Sequence, residues 1–370
     1  MLNKTLGMKA LLFLLVSALC PAQEESGGFW KGIGKPASFG KPFWADIHST
    51  LIRAEIGYAA NSPDYDWGEY HSKFRPYVYA NLGADIPIWS GNFADGKYGL
   101  GITLPFMIDV WFDRFEWITS PVINTDYRFG AFDTCFIYRL DTPLEVFPRK
   151  QDSALPGFLH FNIYNWALKF SFFKHESTHI GDELTIFRKD KELPITRVDV
   201  AYNYVELIFT VNDPDGKARR NHGFKTAILL NHHVKRGWYS VFEKEGEGDA
   251  ALVEPSRIPV EFYIQYQYQS ALFSRGFQVI TSVEYRLRER YRYPFFNAGA
   301  TDDYTHYNGR SGLNPASCVN VFAGIRYDNQ QPSYFSKIGI GFRYYYGINP
   351  YGQFRSMPHY HQIGIAVLFE

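Results

Sequence analysis

The chain has 370 residues with 38 acidic and 38 basic residues, so its formal net charge is zero. This balance excludes a strongly basic surface of the kind that binds nucleic acid, and we expect no nucleic-acid partner. Phe, Tyr and Trp make up 18% of the residues, yet the mean hydropathy is below zero. After residue 22, no stretch is long and apolar enough for a transmembrane helix, so any membrane span must be made of β-strands.

The first 22 residues have the composition of a secretory signal peptide. Lys4 and Lys9 precede an apolar stretch over residues 10–19, and Ala22 precedes the first glutamates. An alternative is acylation of Cys20, as in a lipoprotein, but a bulky leucine stands before it where a small residue is usual. Cleavage after Ala22 predicts an exported protein.

The exported chain divides into two predicted parts. We expect residues 23–46 to form a periplasmic segment and residues 47–370 to form a single domain without an internal linker. Its two cysteines, Cys135 and Cys318, are far apart in sequence and are expected to be free thiols. No cofactor and no metal site are predicted.

From residue 47 onwards, apolar and polar side chains alternate with the period of two that is typical of strands with unlike faces. Apolar and polar side chains also alternate along the strands of a soluble β-sandwich. The long segments, their aromatic ends and the signal peptide favour a transmembrane barrel. The sequence therefore predicts an all-β fold, an antiparallel transmembrane β-barrel of about twelve strands. The predicted strands lie at about 47–58, 74–88, 98–112, 125–140, 163–178, 197–211, 223–235, 256–270, 276–288, 317–329, 333–347 and 360–369.

The loops support this prediction. With the N-terminus inside, most inner turns are short and most outer connections long, as in outer-membrane barrels. The exception is residues 141–162, an inner connection rich in proline that could hold a short extra element. The final strand ends in Phe369, as such barrels usually do, but Glu370 follows it.

Two motifs resemble a known family. Residues 175–183 read HESTHIGDE, and residues 345–354 read YYGINPYGQF. They are similar to a family of uncharacterised bacterial outer-membrane β-barrel proteins with a central His-x-Ser-Ser-His-x-Gly-Asp-Glu block and a C-terminal Pro-Tyr-Gly-Gln-Phe block. Thr178 replaces the second serine. The resemblance implies the outer membrane of a Gram-negative-type bacterium, membrane lipids and the barrel-assembly machinery as partners, and no established chemistry.

The central block offers one catalytic interpretation. His175 and Ser177 have the spacing of the His-x-Ser pair of outer-membrane phospholipase A and the lipid A deacylases, which they resemble. Two residues along a strand place both side chains on one face, about 6.6 Å apart at Cα. Asp182 or Glu183 could then orient the imidazole if the chain turns at Gly181.

Strand parity opposes that interpretation. Regular alternation from Lys169 directs Ser171, Phe173, His175, Ser177 and His179 to the lumen, whereas the lipid hydrolases direct their pair towards lipid. Only a bulge would reverse the facing. The residue after the serine, Thr178, also differs from the asparagine that is usual in those enzymes.

Two other interpretations remain open. A metal site would combine His175 and His179 with the acids, but four residues on a strand separate the histidines by about 13 Å, too far for one ion. The simplest interpretation is a hydrogen-bonded polar cluster at the rim of a structural barrel or small-solute pore. The second motif, with Pro350 and Gly352, predicts a turn before the last strand.

A basic run at residues 286–290, with arginines at three of its five positions, has two interpretations. It could meet the phosphates of lipopolysaccharide at the outer rim, or it could be a solvated strand end.

Overall fold

The structure is a computed structural model in which most of the described residues lie in strands. It describes residues 32–35, 39–46, 48–60, 62–63, 70–71, 74–113, 122–146, 161–180, 196–213, 220–240, 260–272, 276–289, 315–328, 337–350 and 360–370. The strands are β1 (Ile52–Ala60), β2 (Ser62–Pro63), β3 (Tyr70–His71), β4 (Arg75–Phe93), β5 (Tyr98–Asp113), β6 (Val122–Val146), β7 (Phe161–Ile180), β8 (Thr196–Val211), β9 (Arg220–Ser240), β10 (Val260–Ala271), β11 (Phe277–Glu289), β12 (Pro315–Asp328), β13 (Lys337–Gly347) and β14 (Tyr360–Phe369).

Twelve of these strands close into one antiparallel barrel. Each of β4 to β14 pairs with the next, and β1 pairs with both β14 and β4, while β2 and β3 form a separate two-stranded ladder. Closure leaves no unpaired edge, which is the condition for a sheet to cross a lipid bilayer. The predicted fold and strand number are confirmed.

The two ends of the barrel differ. The turn Ala94–Lys97 joins β4 to β5, and β10 and β11 are joined by a similarly short connection at residues 272–276. The start of β1 and the end of β14 lie at this same end, where Ile52 pairs with Phe369. Short turns and chain termini are typical of the periplasmic end, which we call the inner end.

The outer surface is apolar. Large hydrophobic side chains alternate along its strands, and Phe342 remains 68% exposed, Leu82 57% and Ile340 55%. A surface of this kind is stable only in contact with lipid. Strands β1 and β4 to β14 therefore form a transmembrane wall.

The inner face is polar and densely packed. Arg53 and Glu55 on β1 are 2% exposed, and Arg343 of β13 lies 2.8 Å from Glu55. Arg286 and Arg288 also point inwards, where Arg286 pairs with Glu284 at 3.2 Å and Arg288 with Glu261 at 3.2 Å. Neither interpretation of the basic run therefore holds for these two arginines, because both are buried in the lumen.

Part of the N-terminal region fills the lumen. We call the described residues 39–46 and 48–51 the lumen segment. The Gly40 amide donates to Asp213 at 2.9 Å, the Trp44 amide donates to Gln267 at 2.9 Å, and Asp46 lies 3.6 Å from Arg286. Residues 39–46, which the sequence assigned to a periplasmic segment, thus contact lumen-facing side chains. Residues 1–31 lie outside the described residues, so the signal peptide stays a prediction.

The second motif closes part of the outer end. After β13, the chain bends inwards so that Ile348 and Asn349 are 2% and 0% exposed. The Tyr345 hydroxyl donates to the Ile348 carbonyl at 2.6 Å, and Arg288 donates to the Pro350 carbonyl at 3.0 Å. Gly352 lies outside the described residues. So do residues 147–160 of the connection in which the sequence predicted an extra element.

At the inner end, the terminal residue is held by ion pairs. The Glu370 carboxylate lies 2.7 Å from the Lys337 ammonium and 3.9 Å from that of Lys41 in the lumen segment. The residue that departs from the usual aromatic terminus therefore links the last strand to the lumen segment.

Candidate active site

Strands β6 and β7 share a distortion at one level of the barrel wall. Their ladder pairs Ala131 with Phe173 and Asp133 with Ser171 but leaves Phe132 and its opposite residue unpaired, and Phe132 has a φ of +45°. The register of β7 against β8 also shifts, between Ser171 and Lys174. The register of β6 against β5 shifts as well, between Asp133 and Phe129. Each strand therefore contains a bulge, which interrupts the alternation of its side chains.

The bulge reverses the facing of the outer half of β7. Below it, Lys169 and Ser171 point into the lumen, as predicted; above it, the buried residues are Glu176 and Thr178. His175, between Lys174 and Glu176, is half-buried and points to the outer face. Because a strand has a period of two, one extra residue turns every following side chain to the other side.

The prediction that His175 and Ser177 face the lumen is therefore wrong. It assumed uniform alternation along β7, and the adjacent Phe172 and Phe173 break that alternation. Phe173 precedes His175 on the outer side of the wall. The pair thus faces lipid, the orientation that the hydrolase interpretation requires.

His175 is held between residues of both neighbouring strands. Its Nδ1 lies 2.7 Å from Oδ1 of Asn203, its direct cross-strand neighbour on β8. On the opposite side, its ring packs against Phe129 of β6, with ring centroids 5.0 Å apart. An amide oxygen only accepts hydrogen bonds, so this contact requires the proton to be on Nδ1. The other nitrogen, Nε2, is then the basic one.

Ser177 lies one step further along the same face. Its cross-strand neighbours are Tyr127 on β6 and Ala201 on β8. His175 and Ser177 are two residues apart on one strand face, with Cα atoms about 6.6 Å apart, a separation that their side chains can bridge. The site thus combines a hydroxyl, an imidazole and an amide on two adjacent strands.

Buried charges support this site from the lumen side. Directly behind it, Arg128 pairs across the ladder with Glu176, with Nε 2.8 Å from the carboxylate. Arg128 also lies 3.2 Å from Asp109 and 3.7 Å from Asp126. Three carboxylates thus surround one buried guanidinium, and this cluster fixes which side chains of this stretch point inwards.

A second inner cluster lies at the bulge. Lys174 is 2.5 Å from Glu206 of β8 and 3.5 Å from Asp133 of β6, and Lys169 is 2.8 Å from Asp133. Lysines on both sides of the bulge thus share one carboxylate in the lumen. The spacing of Lys169 and Lys174, an odd number of residues, is the sequence signal that could have revealed the reversal.

The position of Ser177 along the barrel axis can be measured from an aromatic belt near the inner end. Tyr98, Tyr138 and Trp166 lie on adjacent strands with centroid separations of 5.2 and 5.4 Å. Ser177 is about eleven residues beyond Trp166 along β7, which at about 3.3 Å per residue and a tilt of about 40° gives about 25 to 28 Å along the barrel axis. The apolar band of such barrels is about 25 Å tall. Ser177 therefore lies near its outer boundary.

Several predicted site residues cannot be compared with the structure. Gly181, Asp182 and Glu183 lie outside the described residues, and of His179 the structure describes the backbone but not the side chain. The orienting carboxylate therefore stays a prediction. Because β7 continues to Ile180, His175 and His179 are four strand residues apart, too far for one metal ion. Thr178 is described and is buried on the lumen side.

Asn203 is the residue that the sequence did not reveal. It lies in a strand where Tyr202 and Tyr204 face inwards, so its parity places it on the outer face. A polar amide on a lipid-facing surface was a signal, since it needs a partner there. Its pairing with His175 depended on the register between β7 and β8.

Among the described residues, no helix has the length and apolar character needed to cross a membrane.

Comparison with known proteins identifies no family. No family profile matches the chain, and no curated protein sequence matches it. Solved structures do match, at low sequence identity.

Three of the solved structures that match have 8 to 10% identity to this chain. Outer membrane phospholipase A from Escherichia coli has 10% identity and a TM-score of 0.40, and the match covers 87% of this chain and 93% of that chain. The CymD monoaromatic hydrocarbon channel has 8% identity and a TM-score of 0.39, covering 94% and 98%. LpxR from Salmonella typhimurium has 10% identity and a TM-score of 0.32, covering 86% and 99%. At these values, the similarity supports no transfer of function.

Proposed function

We propose that this protein is an outer-membrane enzyme that hydrolyses acyl esters of lipids in the outer leaflet. Ser177 is the nucleophile, His175 the general base and Asn203 the residue that orients the imidazole. The observation that carries this proposal is the 2.7 Å contact between His175 Nδ1 and Asn203 Oδ1 on the lipid-facing side of the wall. In this arrangement, an oriented base lies beside a hydroxyl nucleophile.

The chemistry follows from the tautomer. With its Nδ1 proton donated to Asn203, His175 accepts the Ser177 hydroxyl proton at Nε2 while Oγ bonds to the ester carbonyl carbon. Collapse of the tetrahedral intermediate breaks the bond to the alcohol oxygen, and the imidazolium returns its proton to that oxygen. Water then attacks the acyl-serine with the same base, which releases the fatty acid and restores Ser177.

The position of the site supports a lipid substrate. The outer boundary of the apolar band is where acyl chains join their head groups, so an ester bond there lies at the level of Ser177. A lipid already present in the leaflet reaches the site by lateral diffusion. Outer-membrane lipids are thus the proposed substrates.

The densely packed lumen favours a reaction on the outer face of the wall rather than passage of solutes through the barrel. Among the described residues, the lumen segment and the buried ion pairs occupy much of the inner face, and one cavity near Asp46, Asp133 and Lys174 has a volume of about 70 Å³. This volume holds a few water molecules. The function that the sequence favoured is a structural or small-solute barrel, and passage of a solute would require this lumen to open.

The experiment is an acyl-release assay on the purified, refolded full chain in phospholipid and lipid A micelles. We expect fatty-acid release by the wild type and its loss in Ser177→Ala and His175→Ala. Ser317→Ala is the matched control, because Ser317 is a serine on the outer face of β12, away from the site, hydrogen-bonded at 2.9 Å to the Tyr285 hydroxyl. Release that persists in Ser177→Ala, or an inactive wild type that shows steady conductance in planar bilayers, would overturn the proposal.

A further inference from the structure

The surface beside the proposed catalytic pair is uneven. On the β6 side, the neighbours of the pair are large and protrude: Tyr127 is 39% exposed, Phe129 48% and Phe132 54%. These three side chains form a ridge that extends from the level of Ser177 down to the bulge. An acyl chain cannot lie flat against the wall on this side.

The β8 side is lower. The outward residues there are Ala201, Asn203 and Val205, all of them half-buried. Ala201 is the direct neighbour of Ser177, and Asn203 that of His175. Small side chains therefore continue from the pair along β8 towards the bilayer centre.

Larger side chains of β9 bound the lower end of this strip. Val205 pairs with Leu230, which is 50% exposed, and Ile228, two residues further towards the inner end, is 46% exposed. The β9 side chains beside Ala201 and Asn203 lie outside the described part of the chain. On β8 itself, Leu207 follows Val205 on the outer face and is 44% exposed. We call the strip formed by Ala201, Asn203 and Val205 the β8 trough. It is open at Ser177 and is narrowed at Leu207.

We propose that the β8 trough is the acyl-chain subsite of the enzyme and that Val205 sets which chains fit in it. The occupant is the linear hydrocarbon chain of an ester lipid whose carbonyl lies at Ser177. This inference rests on the proposed function, because it uses the position of the nucleophile as the start of the chain.

Three features fit this occupant. The trough begins beside the nucleophile and descends into the hydrocarbon layer, the direction in which an acyl chain extends. Its floor is apolar at Ala201 and Val205, so neither of these two positions places a polar group against the chain. Its one polar residue, Asn203, already has its amide oxygen 2.7 Å from His175.

The trough also separates chain recognition from catalysis. Val205 lies two positions from Asn203 and contributes no group to the reaction. Enlarging Val205 therefore fills the trough below the reacting atoms, whereas a short acyl group ends before it reaches that level. Hydrophobic pockets discriminate between chains through this kind of steric and burial difference, by about 10- to 200-fold for a single methylene.

The test compares Val205→Trp with the wild type on two esters of one alcohol, p-nitrophenyl palmitate and p-nitrophenyl butyrate, in detergent micelles. We expect kcat/KM for the palmitate to fall by about tenfold or more while that for the butyrate is unchanged. Val283→Trp is the matched control, because Val283 is also half-buried on the outer face but lies on β11. Val205→Leu, a smaller change, should give an intermediate loss on the palmitate.

The outcomes separate this inference from the proposed function. If the wild type hydrolyses both esters and Val205→Trp lowers both equally, or lowers neither, the β8 trough is not the subsite and the proposed function stands. If Val283→Trp lowers palmitate hydrolysis as much as Val205→Trp does, the effect is not local and the inference fails. If the wild type hydrolyses neither ester and releases no fatty acid from lipids, both proposals are overturned.

Discussion

The Nδ1 atom of His175 lies 2.7 Å from Oδ1 of Asn203 on the outer face of the barrel, 28 residues apart in the chain. The contact joins β7 to β8 where their ladder pairs the two residues directly. It fixes both the ring orientation and the tautomer of the imidazole, because the amide oxygen has no proton to give. The proposed catalysis depends on this contact.

Asn203→Ala should therefore lower kcat for ester hydrolysis by about 100-fold or more while leaving KM nearly unchanged, since the base loses its orientation but the lipid site remains. Asn203→Asp, which keeps an acceptor at the same place, should retain more activity. Thr226→Ala, on the outer face of β9, serves as the control and should behave as the wild type. Equal kcat in Asn203→Ala and wild type would show that the contact has no catalytic role.

The facing of the pair can be measured without activity. Nitroxide labels attached at Ser177→Cys and Thr178→Cys should report opposite environments in lipid vesicles. The label at position 177 should be relaxed by oxygen dissolved in the bilayer, and the label at position 178 should be shielded from it. The native cysteines, Cys135 and Cys318, are buried and free. The reverse pattern would mean that β7 has no bulge and that the lumen-facing prediction was right.

Glu176→Gln should destabilise the barrel by about 1.5 to 3 kcal/mol, because it removes the carboxylate nearest to the buried guanidinium of Arg128 and leaves only those of Asp109 and Asp126. The Arg128–Glu176 distance is 2.8 Å, and both side chains are less than a tenth exposed. Urea unfolding in detergent micelles, followed by heat-modified gel mobility, measures the change. Glu145→Gln, at an exposed position of β6, should leave the midpoint unchanged. A similar midpoint for both variants would indicate that the Arg128–Glu176 pair does not stabilise the barrel.

Trp44→Ala should cost about 3 to 5 kcal/mol of stability, the range for loss of a large buried aromatic side chain. The Trp44 ring packs 5.5 Å from Phe322, lies under the guanidinium of Arg326 and fills the space that a side chain at Gly339 would need. The readout is the temperature at which the folded band disappears on a gel. Ile33→Ala, at an exposed position, is the control. An unchanged temperature for Trp44→Ala would mean that the lumen segment contributes nothing to the barrel.

The sequence by itself determined the barrel. Its period of two, kept over segments long enough to cross a membrane, requires one apolar and one polar face, and only closure satisfies the backbone of such strands in lipid. The strand number and most boundaries followed from the turns between these segments. The pairing of His175 with Ser177 also followed, because two residues on one strand share a face wherever that face points.

Only the tertiary structure decided which way this face points and what lies beside it. The bulge at Phe172 and Phe173 is stabilised by ion pairs between strands, and the alternation of one strand does not reveal a shift that depends on its neighbours. The contact between His175 and Asn203 likewise depends on the register of two strands whose connecting loop is long. Inter-strand register is set by the whole closed sheet. The residues of the site could therefore be matched to one another only in the three-dimensional structure.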